Sequence, residues 1–477
     1  MSSYDLIVIG SGPAGRRAAI QAAKLGRSVL VVDRQPQVGG VSVHTGTIPS
    51  KTLRETVLNL SGFRERGFYG RNYRVKREIS ADDLRRRLAV TLNHEVETLE
   101  HQFVRNQVSI LTGHAHFIDA HHIEVSRPDG ETIRLAAARF LVAVGTKPYR
   151  PADIPFDGRT VVDSDEILSL EKLPRTLAVI GAGVIGLEYA TIFSALDIQV
   201  TLIEPRTTML DFIDREIIEE LTHDLRQRGM ILRLGCSVAL IESDRGAGCR
   251  AQLKDGRLVR ADAILFAAGR MGATDDLGLD AAGLEPDQRG RLAVDKDDFR
   301  TAVPHIFAAG DVIGFPSLAS TSMEQGRIAA CRAFDHPVHD APTFFPYGIY
   351  AVPEISTIGI TEEEAKLRGI AFECGIARLR ETSRGQIMGL ASGFMKMIFD
   401  LENRRLLGVH IVGEGATELI HIGQAVLNLG GTVDYFVENT FNYPTLAEAY
   451  KIAALDAWNR MPKATELDAA KSIKSVA

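Results

Sequence analysis

Two stretches of this chain repeat one pattern, and the pattern leaves few folds open. Residues 4–10, Tyr-Asp-Leu-Ile-Val-Ile-Gly, form a short apolar run. Gly10-Ser-Gly12-Pro13-Ala14-Gly15 follows, then an alanine-rich helical pattern, then an apolar run from Ser28 to Val32 that ends in Asp33. Leu177-Ala-Val-Ile-Gly181-Ala-Gly183-Val184-Ile185-Gly186 repeats the strand, the turn and the helix start, and Val200-Thr-Leu-Ile-Glu204 repeats the strand and the acid. The first glycine lies 23 residues before the acid in both copies. Gly10 and Gly181 allow a tight turn, Gly12 and Gly183 let a pyrophosphate approach the backbone, and Gly15 and Gly186 let the helix pack on its strand.

Each helix start faces a phosphate with its free N–H groups, and each acid is placed to accept hydrogen bonds from an adenosine ribose. Two such units predict two Rossmann-like domains of α/β class and two dinucleotides. One is held and the other exchanges, the layout of a flavoprotein that trades hydride with a nicotinamide. At 477 residues the chain exceeds one ordinary core. A net charge of −6 predicts no surface for nucleic acid or anionic lipid. The four cysteines, Cys236, Cys249, Cys331 and Cys374, show no metal-type spacing, so free thiols in a reducing compartment are expected. No basic and apolar leader precedes the first strand and no apolar run is long enough to span a bilayer, which predicts a cytoplasmic protein.

Gly39-Gly40-Val-Ser42-Val-His-Thr-Gly-Thr47-Ile-Pro-Ser-Lys51 resembles the flavin-side segment of the pyridine nucleotide-disulfide oxidoreductases. The resemblance runs nearly end to end. It implies an FAD domain in two segments, 1–149 and 273–345, an inserted NAD(P) domain at 150–272, and a C-terminal α+β dimerisation domain at 346–477. It implies one non-covalent FAD per chain, NAD and NADP(H) as substrates, and a homodimer or higher homo-oligomer. The FAD residues it implies are Gly10, Gly12, Pro13, Ala14, Gly15, Asp33, Arg34, Gly40, Thr47, Lys51, Gly145, Gly310, Asp311, Leu318 and Ala319. Those for the nicotinamide nucleotide are Gly181, Gly183, Val184, Ile185, Gly186, Glu204, Arg206 and Gly269. It also implies that Lys51 pairs with Glu188, on the first turn of the second helix, beside the flavin.

The departures are as informative as the matches. The family's two redox cysteines fall at Ser42 and Thr47, which cannot carry electrons. Its His-Pro-Thr-x-x-Glu run reads Tyr443-Pro-Thr-Leu-Ala-Glu448, and Tyr443 cannot exchange protons near neutral pH as His does. Joint loss implies that no dithiol is handled. The Gly46–Lys51 and Phe441–Thr445 runs resemble those of the family's transhydrogenase subgroup. The expected reaction is therefore hydride transfer from NADPH through FAD to NAD in a reversible ping-pong cycle. Glu204 favours a free ribose 2′-OH, and Arg206 is placed to meet a 2′-phosphate. An NAD(P)H-dependent quinone or dye reductase and a non-catalytic flavin redox sensor are the alternatives.

Elsewhere, helices are expected at about Ser50–Gly67, from Ser80 behind a capping signal, and at about Leu318–Ala333, Thr417–Leu429 and Thr445–Met461. Residues 108–142 read as short antiparallel strands. Val352–Gly359, Gly393–Phe399 and Leu407–Val412 read as strands. His114, His116, His121 and His122 read as exposed strand and turn histidines, with no metal site. The tail from Lys463 is expected to be mobile.

Overall fold

The computed structural model describes residues 3–244, 248–340 and 343–462. The tail from Lys463 lies outside them. The chain divides into two compact units. The first comprises Met1–Leu53, Ser80–Leu173 and Phe266–Pro342; the second comprises Arg54–Ile79, Pro174–Leu265 and Thr343–Ala477.

The first unit is built on a sheet in the order Ser109–Thr112, Val29–Asp33, Ser3–Ile9, Thr132–Val142, His122–Ser126, His114–Asp119, with Ile306–Ala308 also paired to Thr132–Val142. Alternate residues enter separate cores. Leu6, Val8, Val29, Val31, Leu141 and Phe307 join one cluster with the helices Pro13–Lys24 and Ala319–Ala333, while Ile7, Ile9, Leu30, Val32, Phe140 and Ile306 join the other. A sheet covered on both faces needs apolar residues in both registers, which is why these strands read as unbroken apolar runs. The two helices meet at backbone distance: a Cβ on Gly326 would lie 2.1 Å from the Ala14 carbonyl oxygen.

Residues 108–142 correct the expectation of short antiparallel strands. Ser109–Thr112 pairs parallel with Val29–Asp33. Thr132–Val142 is one strand of 11 residues. Its first half pairs antiparallel with His122–Ser126, and its second half pairs parallel with Ser3–Ile9. Side-chain alternation has a period of two in either direction, so it carries no information on strand polarity.

In the second unit, Ile231–Leu234, Gln199–Glu204 and Thr176–Ile180 pair in parallel. Val238–Asp244, Gly248–Leu253 and Leu258–Ala261 form an antiparallel sheet. The C-terminal segment forms a five-stranded antiparallel sheet in the order Tyr347–Ile349, Ile355–Gly359, Leu406–Val412, Phe394–Asp400, Phe372–Arg378. One side of it packs on the helices Ala416–Asn428 and Glu448–Trp458. The strand expected from Val352 begins only at Ile355. Pro353 has no N–H to give, and the Val352 N–H is spent on Thr191 Oγ1 at 3.0 Å.

Three helix boundaries also differ from expectation or add to it. The helix expected at Ser50–Gly67 is Thr47–Leu60. It stops because Gly62 turns left-handed at φ +61° and the Leu60 carbonyl accepts from the returning Lys76 N–H at 2.9 Å. The helix expected from Thr445 begins at Glu448, because the Thr445 hydroxyl bonds back to the Asn442 carbonyl at 2.7 Å. The signal at Ser80 is a full capping box: Asp83 N–H donates to Ser80 Oγ, and Ser80 N–H donates to Asp83 Oδ2.

Candidate functional site

The first glycine turn does three separate jobs. Gly10 sits at φ +104°, and a Cβ there would lie 2.4 Å from the Ala143 carbonyl oxygen. Gly15 is in the helix, where a Cβ would lie 1.9 Å from the Gly10 carbonyl oxygen and 3.0 Å from Val8. Gly12 is the N-cap of Pro13–Lys24, and a Cβ there would meet nothing within 4 Å. Two glycines are thus required by the protein's own packing, and the third keeps a helix N-terminus open.

Asp33 braces that turn from the end of the neighbouring strand. Its Oδ2 accepts from Ser11 N–H at 2.7 Å and from Ser11 Oγ at 2.6 Å, and its Oδ1 accepts from Gln35 N–H at 2.9 Å. Ser11 Oγ accepts in turn from Gly39 N–H. The second turn is braced in the same way: Glu204 Oε2 accepts from Ala182 N–H at 2.7 Å. The two acids therefore fix the glycine turns before any ribose is considered, a role that spacing alone did not show. A carboxylate offers about four lone-pair sites, so Asp33, with three in use, keeps acceptor capacity, whereas the Arg206 backbone N–H, Nε and Nη2 take the remaining sites of Glu204.

The first turn opens on a cavity of about 510 Å³, within the range of about 300–1,000 Å³ usual for small-molecule sites. Of the expected FAD residues, Gly10, Gly12, Pro13, Ala14, Asp33, Arg34, Gly40, Thr47, Gly145, Gly310, Asp311 and Ala319 line it. Gly15 lies beneath the turn, and Leu318 caps the helix whose first residue, Ala319, does line the cavity. Lys51 stands one helical turn beyond Thr47 on the same face, its Nζ 3.2 Å from Ser50 Oγ. Two helix N-termini, an open glycine and acids at separate points suit a long ligand with a central pyrophosphate, and FAD fits that description.

Sequence reasoning missed several lining residues. His114 was expected to be a solvated strand histidine; it lines the cavity and pairs with Asp276 at 2.8 Å. His44 reaches the Val38 carbonyl at 3.0 Å. Asp165 lines the cavity and takes Arg270 at 2.8 Å, while Arg270 also donates to Thr146 Oγ1 and to the Thr146 carbonyl. Except for His44 and Val38, these contacts link residues more than a hundred positions apart, and nothing local in the sequence signals them. Burial pushes the Asp311 carboxyl up, and the nearby Arg270 charge only partly opposes it.

In the second unit Gly181 turns at φ +100°, and a Cβ on Gly183 would meet nothing within 4 Å. Val184 and Ile185 open the helix Val184–Ser194, with Gly186 buried behind them. Glu204 and Arg206 do not stand apart, as separate ribose and phosphate contacts would. Arg206 Nε lies 2.9 Å from Glu204 Oε1 and Nη2 lies 3.3 Å from Oε2, while Nη1 reaches Asp211 at 3.3 Å. Burial pushes the Glu204 carboxyl up, but Arg206 and two backbone N–H groups outweigh that and hold it below the usual carboxylate range. Gly269 belongs to the first unit, at φ +126°.

Glu188 is the fifth residue of its helix, on the second turn rather than the first, because the helix begins at Val184. It is 4% exposed, and its Oε1 accepts from Tyr350 N–H at 2.9 Å. Lys51 belongs to the first unit and Glu188 to the second. Tyr443 and Glu448 are brought together by Ser383, whose Oγ lies 2.5 Å from the Tyr443 hydroxyl and whose N–H donates to Glu448 at 2.8 Å. Ser42 Oγ donates to the Gly39 carbonyl at 2.9 Å. Among the described residues no group of three or more His, Cys, Asp or Glu is placed to hold a metal, and no helix is long and apolar enough to cross a membrane.

A family model described as pyridine nucleotide-disulphide oxidoreductase matches residues 4–326, and the dimerisation-domain model of the same family matches residues 345–454. A protein of Mycobacterium bovis named soluble pyridine nucleotide transhydrogenase is 49% identical over 462 residues, 97% of this chain and 98% of the relative. A protein of the same name from Colwellia psychrerythraea is 44% identical over 466 residues, 96% and 98%. Among solved structures, LpdA from Mycobacterium tuberculosis superposes with a TM-score of 0.87 at 26% identity, covering 95% of this chain and 99% of that one. The HOCl-induced flavoprotein disulfide reductase RclA from Escherichia coli superposes with 0.85 at 25%, covering 95% and 99%.

Proposed function

This chain belongs to the pyridine nucleotide-disulphide oxidoreductase family, and on that footing we propose that it is a flavoprotein transhydrogenase, moving hydride between NADPH and NAD with FAD as resident group and without a redox disulfide. The observation that carries this reading is the pair Ser42 and Thr47. They occupy the positions of the family's redox cysteines, and two hydroxyls cannot form or break a disulfide. Tyr443 in place of the family's acid–base histidine removes the partner that thiol chemistry needs. The names of the relatives support the same reading.

Bound FAD supplies reversible two-electron hydride chemistry. The protein supplies position and charge. The Gly12 and Ala319 helix starts present N–H groups to phosphate, and Asp33 and Asp311 fix hydroxyl groups at two points of the cavity. Lys51 provides a cation one turn from Thr47, where it favours growing negative charge. The Gly183 helix start takes the pyrophosphate of the nicotinamide nucleotide, Glu204 takes a ribose hydroxyl, and Arg206 takes the 2′-phosphate when one is present. Among its described residues the second unit has one such turn, so NADPH and NAD use it in succession, which makes the cycle ping-pong. The domain limits at 149, 272 and 345, a cytoplasmic homodimer and the absence of nucleic-acid partners belong to the same proposal.

Acceptor choice tests it. With NADPH as donor, the purified FAD-loaded protein is expected to reduce thio-NAD faster than a quinone, and to leave lipoamide and glutathione disulfide untouched. Reduction of either disulfide at a rate comparable to thio-NAD overturns the proposal, and quinone reduction without thio-NAD reduction makes the protein a dye or quinone reductase.

A further inference from the structure

We propose that Lys396 is a positioning residue for nucleotide selection, acting through Asp214 on the loop between the strand Gln199–Glu204 and the helix Arg215–Gln227. This rests on the reading above, in which that loop meets the ribose end of the nicotinamide nucleotide.

The loop is tied at both ends by charge. At its start, Arg206 is held by Glu204 and Asp211. Its middle is anchored by Met209, Leu210 and Ile213, all buried. Leu210 sits at φ +47°, a left-handed conformation that a branched side chain rarely adopts. At its end stands Asp214, which is fully buried. Asp214 Oδ1 accepts from Glu216 N–H at 3.2 Å, and Oδ2 accepts from Glu362 N–H at 3.3 Å.

Lys396 reaches this point from the strand Phe394–Asp400 and is itself fully buried. Its Nζ lies 3.1 Å from Asp214 Oδ2 and 2.7 Å from Glu216 Oε2, and it also pairs with Glu362. Burial alone pushes the Lys396 ammonium down, but the surrounding carboxylates outweigh it and hold it above the usual lysine range. The loop's far end therefore rests on a permanent cation shared by three acids.

Removing one partner of a buried ion pair leaves the other charge uncompensated. Without Lys396, Asp214 must take up a proton or move toward water, and either change shifts the end of the loop. The strained Leu210 gives the loop a way to relax. Glu204 is held independently by the Ala182 N–H. The Glu204 contact to the free ribose 2′-OH of NAD therefore stays, and the loss falls on the 2′-phosphate contact of the loop.

Calorimetric titration of the FAD-loaded protein with NADP and with NAD tests this in the wild type, Lys396→Met, Lys396→Met/Asp214→Asn and Arg206→Ala. Lys396→Met is expected to weaken NADP by about fivefold and to leave NAD within about twofold. The double variant is expected to recover most of the loss, because Asn keeps the cap without a buried charge. Lys396→Arg keeps the charge but not the length, and it gives a smaller shift of the same selectivity should Lys396→Met not fold. Equal weakening of both nucleotides by the Lys396 variants, or none while Arg206→Ala still weakens NADP, overturns the inference. If Arg206→Ala leaves NADP binding unchanged, the reading of the loop fails, and this inference fails with it.

Discussion

Gly15→Ala is expected to yield a destabilised protein that purifies without flavin, whereas Gly12→Ala yields a stable protein that has also lost it. The glycine motif gives the two positions different roles, and the space around each shows why. At Gly15 a methyl group would overlap the Gly10 carbonyl oxygen at 1.9 Å and press on Val8. Neither the backbone of the turn nor the strand end beneath it can give way without moving the sheet. Overpacking a rigid interior costs about 1–3 kcal/mol, and a clash with backbone belongs at or above the upper end. At Gly12 the same methyl group touches no protein atom within 4 Å. On the proposed function it projects toward the approaching pyrophosphate, so the cost is expected to fall on binding alone. Thermal melts and flavin-to-protein absorbance ratios of the two variants check this. A Gly12→Ala protein with full flavin would show that the pyrophosphate does not approach there.

Arg206→Ala is expected to weaken NADPH by roughly ten- to hundredfold, or about 1–3 kcal/mol, and to spare NADH. In this structure Arg206 is engaged with Glu204 and Asp211. To meet a 2′-phosphate it must exchange those carboxylates for the phosphate, and its partial exposure lowers the net gain. On the proposed reading NADH, with a free 2′-OH, would instead meet a carboxylate whose charge Arg206 already offsets. Glu204→Gln should therefore act in the opposite sense, relieving repulsion of the phosphate while weakening the ribose contact of NADH. Because the two side chains touch, their effects should not add in the double variant. Separate titrations with each nucleotide measure each effect. Equal weakening of both nucleotides by Arg206→Ala would place phosphate recognition elsewhere.

The glycine turns, the strands and helices around them and the cavity lining at Gly10–Ala14 were legible because each rests on a local signal: a run, a spacing or a residue without a side chain. Contacts made by backbone were not. Nothing in the sequence marks that Asp33 and Glu204 spend an oxygen on Ser11 N–H and Ala182 N–H, because every residue but proline carries that donor. Strand polarity was lost for the same reason at Ser109–Thr112. Buried charges were the other blind spot. Arg54 is 2% exposed, with Glu354 at 3.2 Å and the Ala351 carbonyl at 3.0 Å. Lys396 is buried among acids that include Asp214, 182 positions away, and Glu362, 34 positions away. A basic residue in an otherwise ordinary helix or strand reads as a surface residue until the fold brings its partner against it.

The central claim is that hydride passes between two nicotinamide nucleotides with no thiol involved. The most direct measurement is the initial rate of NADPH-to-thio-NAD transfer by a variant in which Cys236, Cys249, Cys331 and Cys374, the four cysteines of the chain, are all replaced by alanine. The account predicts a wild-type rate per bound flavin, with parallel lines in double-reciprocal plots when both nucleotides are varied. Loss of transfer in a cysteine-free protein that still binds its flavin, or lines that intersect, would contradict it.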